Sequence, residues 1–494
     1  MMKQFFALTV VGSALFAPSA FSQQSAALPS DQYQTLFRKD RAQRGVNGAA
    51  SCAGCHSGMS KGQDGHLQNE YREWQGKRGD GPHYNSFNIL NGQESQSIAR
   101  VLHQIDGLGK EAFKRADCLR CHGLGHAAKQ QSKKWNEREP VSCEACHGHA
   151  GPRPGINEGW QTLHTYPNWN SKDSEERLTY GMYDTRDVLL WAENCLECHH
   201  GTATARFSHS LLGAGHPDIP FELFGDLSGV PEHWRWERSY LKDVPDEGIW
   251  QFARIWAVGQ AITLRETMRA LVRWSAKASE RPDFALFNCI SCHHAFARNE
   301  AGSTPPPRSP VRLTRASGEP AWNGASWAAC KQLAYALMPE SRAKFDTNIQ
   351  MLFDALSLSA PDREAVRAAA SDLATLADAL AHKANTTHMD LGLTRKLLVG
   401  IAEDYEYIGA MGPYGGHQAF RAFEALYLNV WLPSGQKVPE QTQAEIRENL
   451  QKLQAAVYDR KDARKPSISQ FNYAQFRTAM EELARLWKDS GAGS

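Results

Sequence analysis

Beyond Ser22 the chain has no long apolar run, which excludes a membrane-spanning helix there. A formal charge of +1 leaves no excess of either sign, so nothing in the composition favours nucleic acid or an anionic membrane as partner. Methionine is thin: between residues 23 and 300 it occurs only as Met59, Met182 and Met268. Cysteine leaves no surplus for a disulfide framework, because ten of the eleven fall in close pairs and only Cys330 stands alone.

Those pairs share one form, Cys-x-x-Cys-His, and it recurs five times. The copies are Cys52–Cys55–His56, Cys118–Cys121–His122, Cys143–Cys146–His147, Cys195–Cys198–His199 and Cys289–Cys292–His293. Two thiols so spaced add to the vinyl groups of a porphyrin, and the adjacent histidine becomes an axial iron ligand. Structural zinc would use four cysteines per site, strand one pair, and give no reason for a histidine after each. The expected cofactors are therefore five covalently bound c-type haems.

Covalent haem attachment of this kind needs export. Lys3 precedes an apolar stretch from Phe5 to Phe16, and small residues follow at Ala17-Pro-Ser-Ala20-Phe-Ser22. Residues 1–22 are expected to be a signal peptide, with no membrane span after cleavage and a periplasmic mature protein.

The motifs lie in residues 40–300, about fifty residues for each, too little chain to bury every macrocycle in its own shell. Sixteen of nineteen histidines and ten of fourteen tryptophans lie there too. The expectation is a mainly α domain of short helices and long loops around stacked haems, with aromatic side chains beside them. A Pro-rich linker, 301–324, follows. Beyond it Val366, Ala370, Leu373, Leu376 and Leu380 recur at helical spacing after Ser359 and Pro361. Ile446, Leu450, Leu453 and Val457 repeat the pattern, as do Phe476, Met480, Leu483 and Trp487. Residues 325–490 read as a helical bundle, in which His382, His388, His417 and Cys330 are surface or core residues rather than ligands.

The sixth ligand decides what each iron can do: methionine raises the potential, and an open position admits small molecules. Three methionines against eleven spare histidines favours histidine on both faces, hence electron transfer. His200 and His294 directly follow proximal histidines and cannot reach the same iron; either they reach a neighbouring haem or they lie at the surface, and a surface position is expected. His103, on a helix expected over Ser95–Ile105, and His126 flank the second motif.

The order Glu70-Tyr-Arg-Glu-Trp74, Pro82-His83-Tyr84, Ser97-Ile-Ala-Arg100 and Asp117-Cys-Leu-Arg-Cys-His122 resembles the cytochrome c554 family of multihaem cytochromes. Val141-Ser-Cys-Glu-Ala-Cys-His-Gly-His-Ala-Gly151 with Trp160-Gln-Thr-Leu-His164 is similar to its third haem segment. Gly181-Met-Tyr-Asp-Thr-Arg186 and Ser208-His-Ser-Leu-Leu-Gly-Ala-Gly-His-Pro217 are similar to its fourth. The resemblance covers about residues 45–225. It implies that His83 serves the His147 haem, that His164 or else His149 serves the His56 haem, and that His209 or His216 serves the His199 haem. It also implies an open iron at His122, unless His103 or His126 fills it. The fifth motif departs from the template.

Two functions compete. One is electron transfer between periplasmic redox partner proteins. The other is oxidation or reduction of a small nitrogen or sulfur compound at an open His122 haem. No Cys-x-x-Cys-Lys motif occurs, so the ammonia-forming nitrite reductases are disfavoured, and five motifs fall short of the eight of hydroxylamine oxidoreductases.

Overall fold

A Cys-x-x-Cys-His pentapeptide wound into helix carries its second cysteine and histidine three and four places after the first, on one face. The chain does this at Ala53–His56, Ala116–His122, Cys143–His147, Val188–His199 and Ile290–His293. The computed structural model describes residues 30–59, 61, 68–201, 207–228, 230, 250–277, 280–293, 320–436, 438–462 and 465–490. The expected signal peptide, most of the Pro-rich linker and His294 lie outside these. Among the described residues the fold is mainly α-helical, with isolated bridges such as Val46–Gln131 and Phe287–Trp322 in place of strands.

Packing divides sharply along the chain. Through the first three motifs apolar burial comes in small groups, such as Phe37, Leu178, Tyr183 and Leu190, or Phe87, Leu90, Ala99, Ala112 and Leu119. Groups of this size cannot stabilise so long a segment alone, which fits a region built around prosthetic groups. From Val188 onward one large apolar cluster takes over and runs to Trp487.

The spine of that cluster is the Trp250–Ser275 helix, buried on nearly every side from Ala253 to Ile262. It packs along Arg363–Thr386, whose buried face carries Val366, Ala370, Leu373, Ala377 and Leu380. The helix start falls at Asp362, whose carboxylate accepts from the Ala365 amide at 3.0 Å, a few residues past Ser359. Glu440–Val457 and Tyr473–Asp489 pair beside them, and the Leu391–Glu403 helix packs against the latter. The bundle side thus shares its core with Trp250–Ser275 and, through Val188, Leu189 and Leu196, with the helix bearing the fourth motif.

Candidate haem centres

Carboxylates inside and beside the motifs fix how they meet. Glu144, between Cys143 and Cys146, is buried, and its oxygens accept from the amides of Asn47 (3.0 Å), Gly48 (2.7 Å) and Ala150 (2.6 Å). One side chain thereby clamps the lead-in to the first motif onto the third. Gly48 must be glycine for this clamp: its φ is +82°, and a Cβ would sit 2.9 Å from the Trp135 Cα. Glu197, in the fourth motif, binds Arg38 (2.7 Å) and Arg41 (3.1 Å). Arg115, just before the second, is forked between Asp106 and Asp117, both at 2.6 Å.

The thiols fall into neighbouring sets as a result. Cys52 and Cys143 are within hydrogen-bonding reach of each other, as are Cys121 and Cys198. The Cys143 contact pulls the Cys52 thiol down to about 7, whereas burial pushes Cys118 and Cys289 up to about 11. Cys195 lies near Cys146. The first motif therefore adjoins the third, the third the fourth, and the fourth the second.

The imidazoles meet in pairs. His56 and His164 have ring centroids 6.2 Å apart and nearly parallel at 22°. His122 and His216 are 6.2 Å apart, His83 and His199 6.3 Å, and His209 and His293 6.3 Å. A first-row metal–imidazole bond is roughly 2.0–2.1 Å and a ring centre lies about 1.1 Å behind its nitrogen, so two imidazoles across one iron stand roughly 6.3 Å apart. All four pairs fit that spacing. Among the described residues no group of three or more His, Cys, Asp or Glu could hold a bare metal ion. Two axial donors beside two thiols suit an iron whose equatorial ligands come from a macrocycle, not a four-ligand zinc site.

Hydrogen bonds at Nδ1 aim the opposite nitrogen of several rings. His122 bonds the Ser86 carbonyl (3.0 Å), His164 that of Gln161 (2.7 Å) and His216 that of Pro217 (2.7 Å), while His56 bonds the Glu70 carboxylate (2.8 Å). Burial lowers the pKa of His122, His164 and His199, favouring the neutral ring that a metal requires. At His56 the Glu70 carboxylate raises it instead.

The pairing departs from the family template at three motifs. His83 faces His199, not His147, because Pro82–Asn91 packs on the second motif: Ser86 Oγ donates to the His122 carbonyl at 3.1 Å. Since Cys198 adjoins Cys121, His83 meets the fourth motif there. Neither His209 nor His216 faces His199; they face His293 and His122. His122 is thus opposed by a histidine, and not by either flanking candidate. His103 bonds the Leu108 carbonyl, and His126 stacks on Phe87 (6.1 Å) and meets Trp135 edge-on (5.6 Å). His164, rather than His149, stands opposite His56; His149 Nε2 accepts from Arg41 Nε at 3.4 Å. His147 packs against Trp160 at 6.3 Å. His200, expected at the surface, is half-buried.

The fifth motif is mounted on the bundle side. Asn288 donates to the Ala410 carbonyl (3.0 Å), and the Tyr414 hydroxyl bonds both the Cys289 thiol and the Asp218 carboxylate. Of the bundle histidines, His417 is buried against the Tyr458 hydroxyl (2.9 Å), His388 packs on Trp250, and His382 bonds the Asp378 carbonyl. Cys330 is fully buried.

Opposed imidazoles, helical Cys-x-x-Cys-His turns and a mainly α fold define a c-type cytochrome with covalently bound haem c. Residues 51–148 match the family model described as cytochrome c554 and c-prime, and the chain is cytochrome c554-like over that segment. No curated protein and no solved structure matches the chain. Among the described residues no helix is long and apolar enough to cross a membrane.

Proposed function

We propose that this chain is a periplasmic pentahaem cytochrome, exported by its signal peptide, that passes electrons between redox partner proteins. The four imidazole pairs at 6.2–6.3 Å carry the reading, since a ligand on each face leaves outer-sphere electron transfer as the natural chemistry. Bound at these sites, haem c supplies a reversible one-electron couple. The polypeptide anchors it through Cys52, Cys55, Cys118, Cys121, Cys143, Cys146, Cys195, Cys198, Cys289 and Cys292. His56, His122, His147, His199 and His293 are the proximal ligands, and His164, His216, His83 and His209 the distal ones.

Adjacent thiols support a relay in the order first, third, fourth, second motif. The His209–His216 segment joins the second motif to the fifth. The 6.2 Å spacing of His216 from His122 supports a filled sixth position there over small-molecule chemistry at that haem.

Intact-mass analysis of protein matured in a competent host, followed by electron paramagnetic resonance, tests this. The expected result is five haem adducts and low-spin signals from the four paired sites, unchanged by nitrite or nitric oxide. Fewer adducts, or a high-spin His122 signal that shifts with nitrite, would overturn it.

A further inference from the structure

The bond between His56 and Glu70 differs in kind from its counterparts at His122, His164 and His216. Glu70 opens the Glu70–Gln75 helix, which packs on the Ala53–His56 turn, and its Oε2 lies 2.8 Å from His56 Nδ1. The other three rings bond neutral backbone carbonyls, of Ser86, Gln161 and Pro217. We propose that Glu70 is a positioning residue that lowers the reduction potential of the haem held by His56 and His164, making that haem the electron-donating end of the relay.

This inference rests on the ligation read above, in which His56 Nε2 faces iron and Nδ1–H is left to donate. A hydrogen bond to a carboxylate is stronger than one to a neutral carbonyl. It draws the proton toward Glu70, gives the ring anionic character and makes Nε2 a more basic donor. A more basic axial donor stabilises the ferric state over the ferrous. The side chains of His56 and Glu70 are 27% and 37% exposed, so water screens the pair in part and the effect is graded. Electrons arriving at this end would pass downhill to the third motif, whose Cys143 adjoins Cys52.

The test is a potentiometric titration of full-length, haem-loaded Glu70→Gln, followed by visible absorption and electron paramagnetic resonance, with peptide mapping of the adducts. One component should move upward so that, at a fixed poise, its reduced-to-oxidised ratio rises about tenfold, equivalent to about 59 mV for one electron. The remaining components should stay in place, and Glu70→Asp should restore most of the wild-type value. Titrations of Glu70→Gln and wild type that superimpose, with haem mapped to Cys52 and Cys55 in both, would overturn the inference while leaving the ligation intact. Absence of haem from those cysteines in the wild type would overturn both.

Discussion

His209 and His216 lie seven residues apart on one segment yet face different partners: His209 stands 6.3 Å from His293, and His216 stands 6.2 Å from His122. The segment is anchored at its start, and the ring at its end is oriented locally. The His209 amide donates to Asp283 at 2.9 Å, beside the fifth motif, and the His216 ring bonds the Pro217 carbonyl. In the ligation proposed above a single strap would serve two irons, and the two functions should separate by mutation.

His216→Ala is expected to convert the His122 haem alone to a high-spin form that binds nitrite or nitric oxide, and His209→Ala to do the same at the His293 haem. Electron paramagnetic resonance of the resting oxidised variants reads both. Identical spectra for wild type and His216→Ala would mean that His216 is a bystander.

Much of this was open to reading in the residues and some was not. The pentapeptides announce themselves because thioether chemistry dictates their spacing, and the bundle helices because their apolar positions recur every three or four residues. Distal pairing is different: it depends on which motifs adjoin, and the groups that decide this, such as Glu144 and Ser86, act across long sequence separations. A glutamate inside Cys143-Glu-Ala-Cys146 and another inside Cys195-Leu-Glu-Cys198 were the available signals. The Trp250–Ser275 helix escaped notice for the opposite reason. Its first half is buried on nearly every side, from Ala253 to Ile262, and so shows no stripe; only Leu264, Met268, Leu271 and Trp274 recur at helical spacing.

That helix carries a buried ion-pair network. Arg265, fully buried, bonds Glu193, Glu266 (3.0 Å) and Asp378 (2.7 Å), linking the fourth-motif helix to Arg363–Thr386. Arg265→Met would leave the buried Glu193 carboxylate without its guanidinium, at a cost of about 3–5 kcal/mol. Denaturant midpoints by circular dichroism should show this loss, and Glu193→Gln in the same chain should recover part of it. A variant as stable as wild type would contradict the assignment.

Glu222 gives a pH dependence with a defined sign. Burial pushes its carboxyl up to about 7, although the amides of Gly225 (2.7 Å) and Phe224 (3.2 Å) donate to it. Asp226, likewise raised, to about 6, opposes its ionisation, and Arg421 favours it. A carboxyl whose folded pKa exceeds its unfolded value stabilises the fold fully below the unfolded pKa, about 4.3. That contribution is lost as pH rises through about 7. Glu222→Gln keeps an acceptor without the charge, so it should gain on wild type by up to about 3 kcal/mol at pH 8 and match it near pH 4. Asp226 leaves a residual slope. Parallel melting-temperature profiles for the two proteins from pH 4 to 8 would rule the effect out.

Cys330 offers a count of the motifs by subtraction. It is fully buried among bundle side chains, and burial pushes its thiol far above the ordinary range, so it should be inert while the protein is folded. The other ten cysteines are expected to be thioethers and closed to alkylation in any state. Haem-loaded protein should therefore take up no alkylating reagent when native and a single equivalent, at Cys330, after unfolding in denaturant. Cys330→Ala should abolish that equivalent. Further alkylated cysteines, two for each pentapeptide that had escaped haem attachment, would lower the count, and peptide mapping would say which of the five it was.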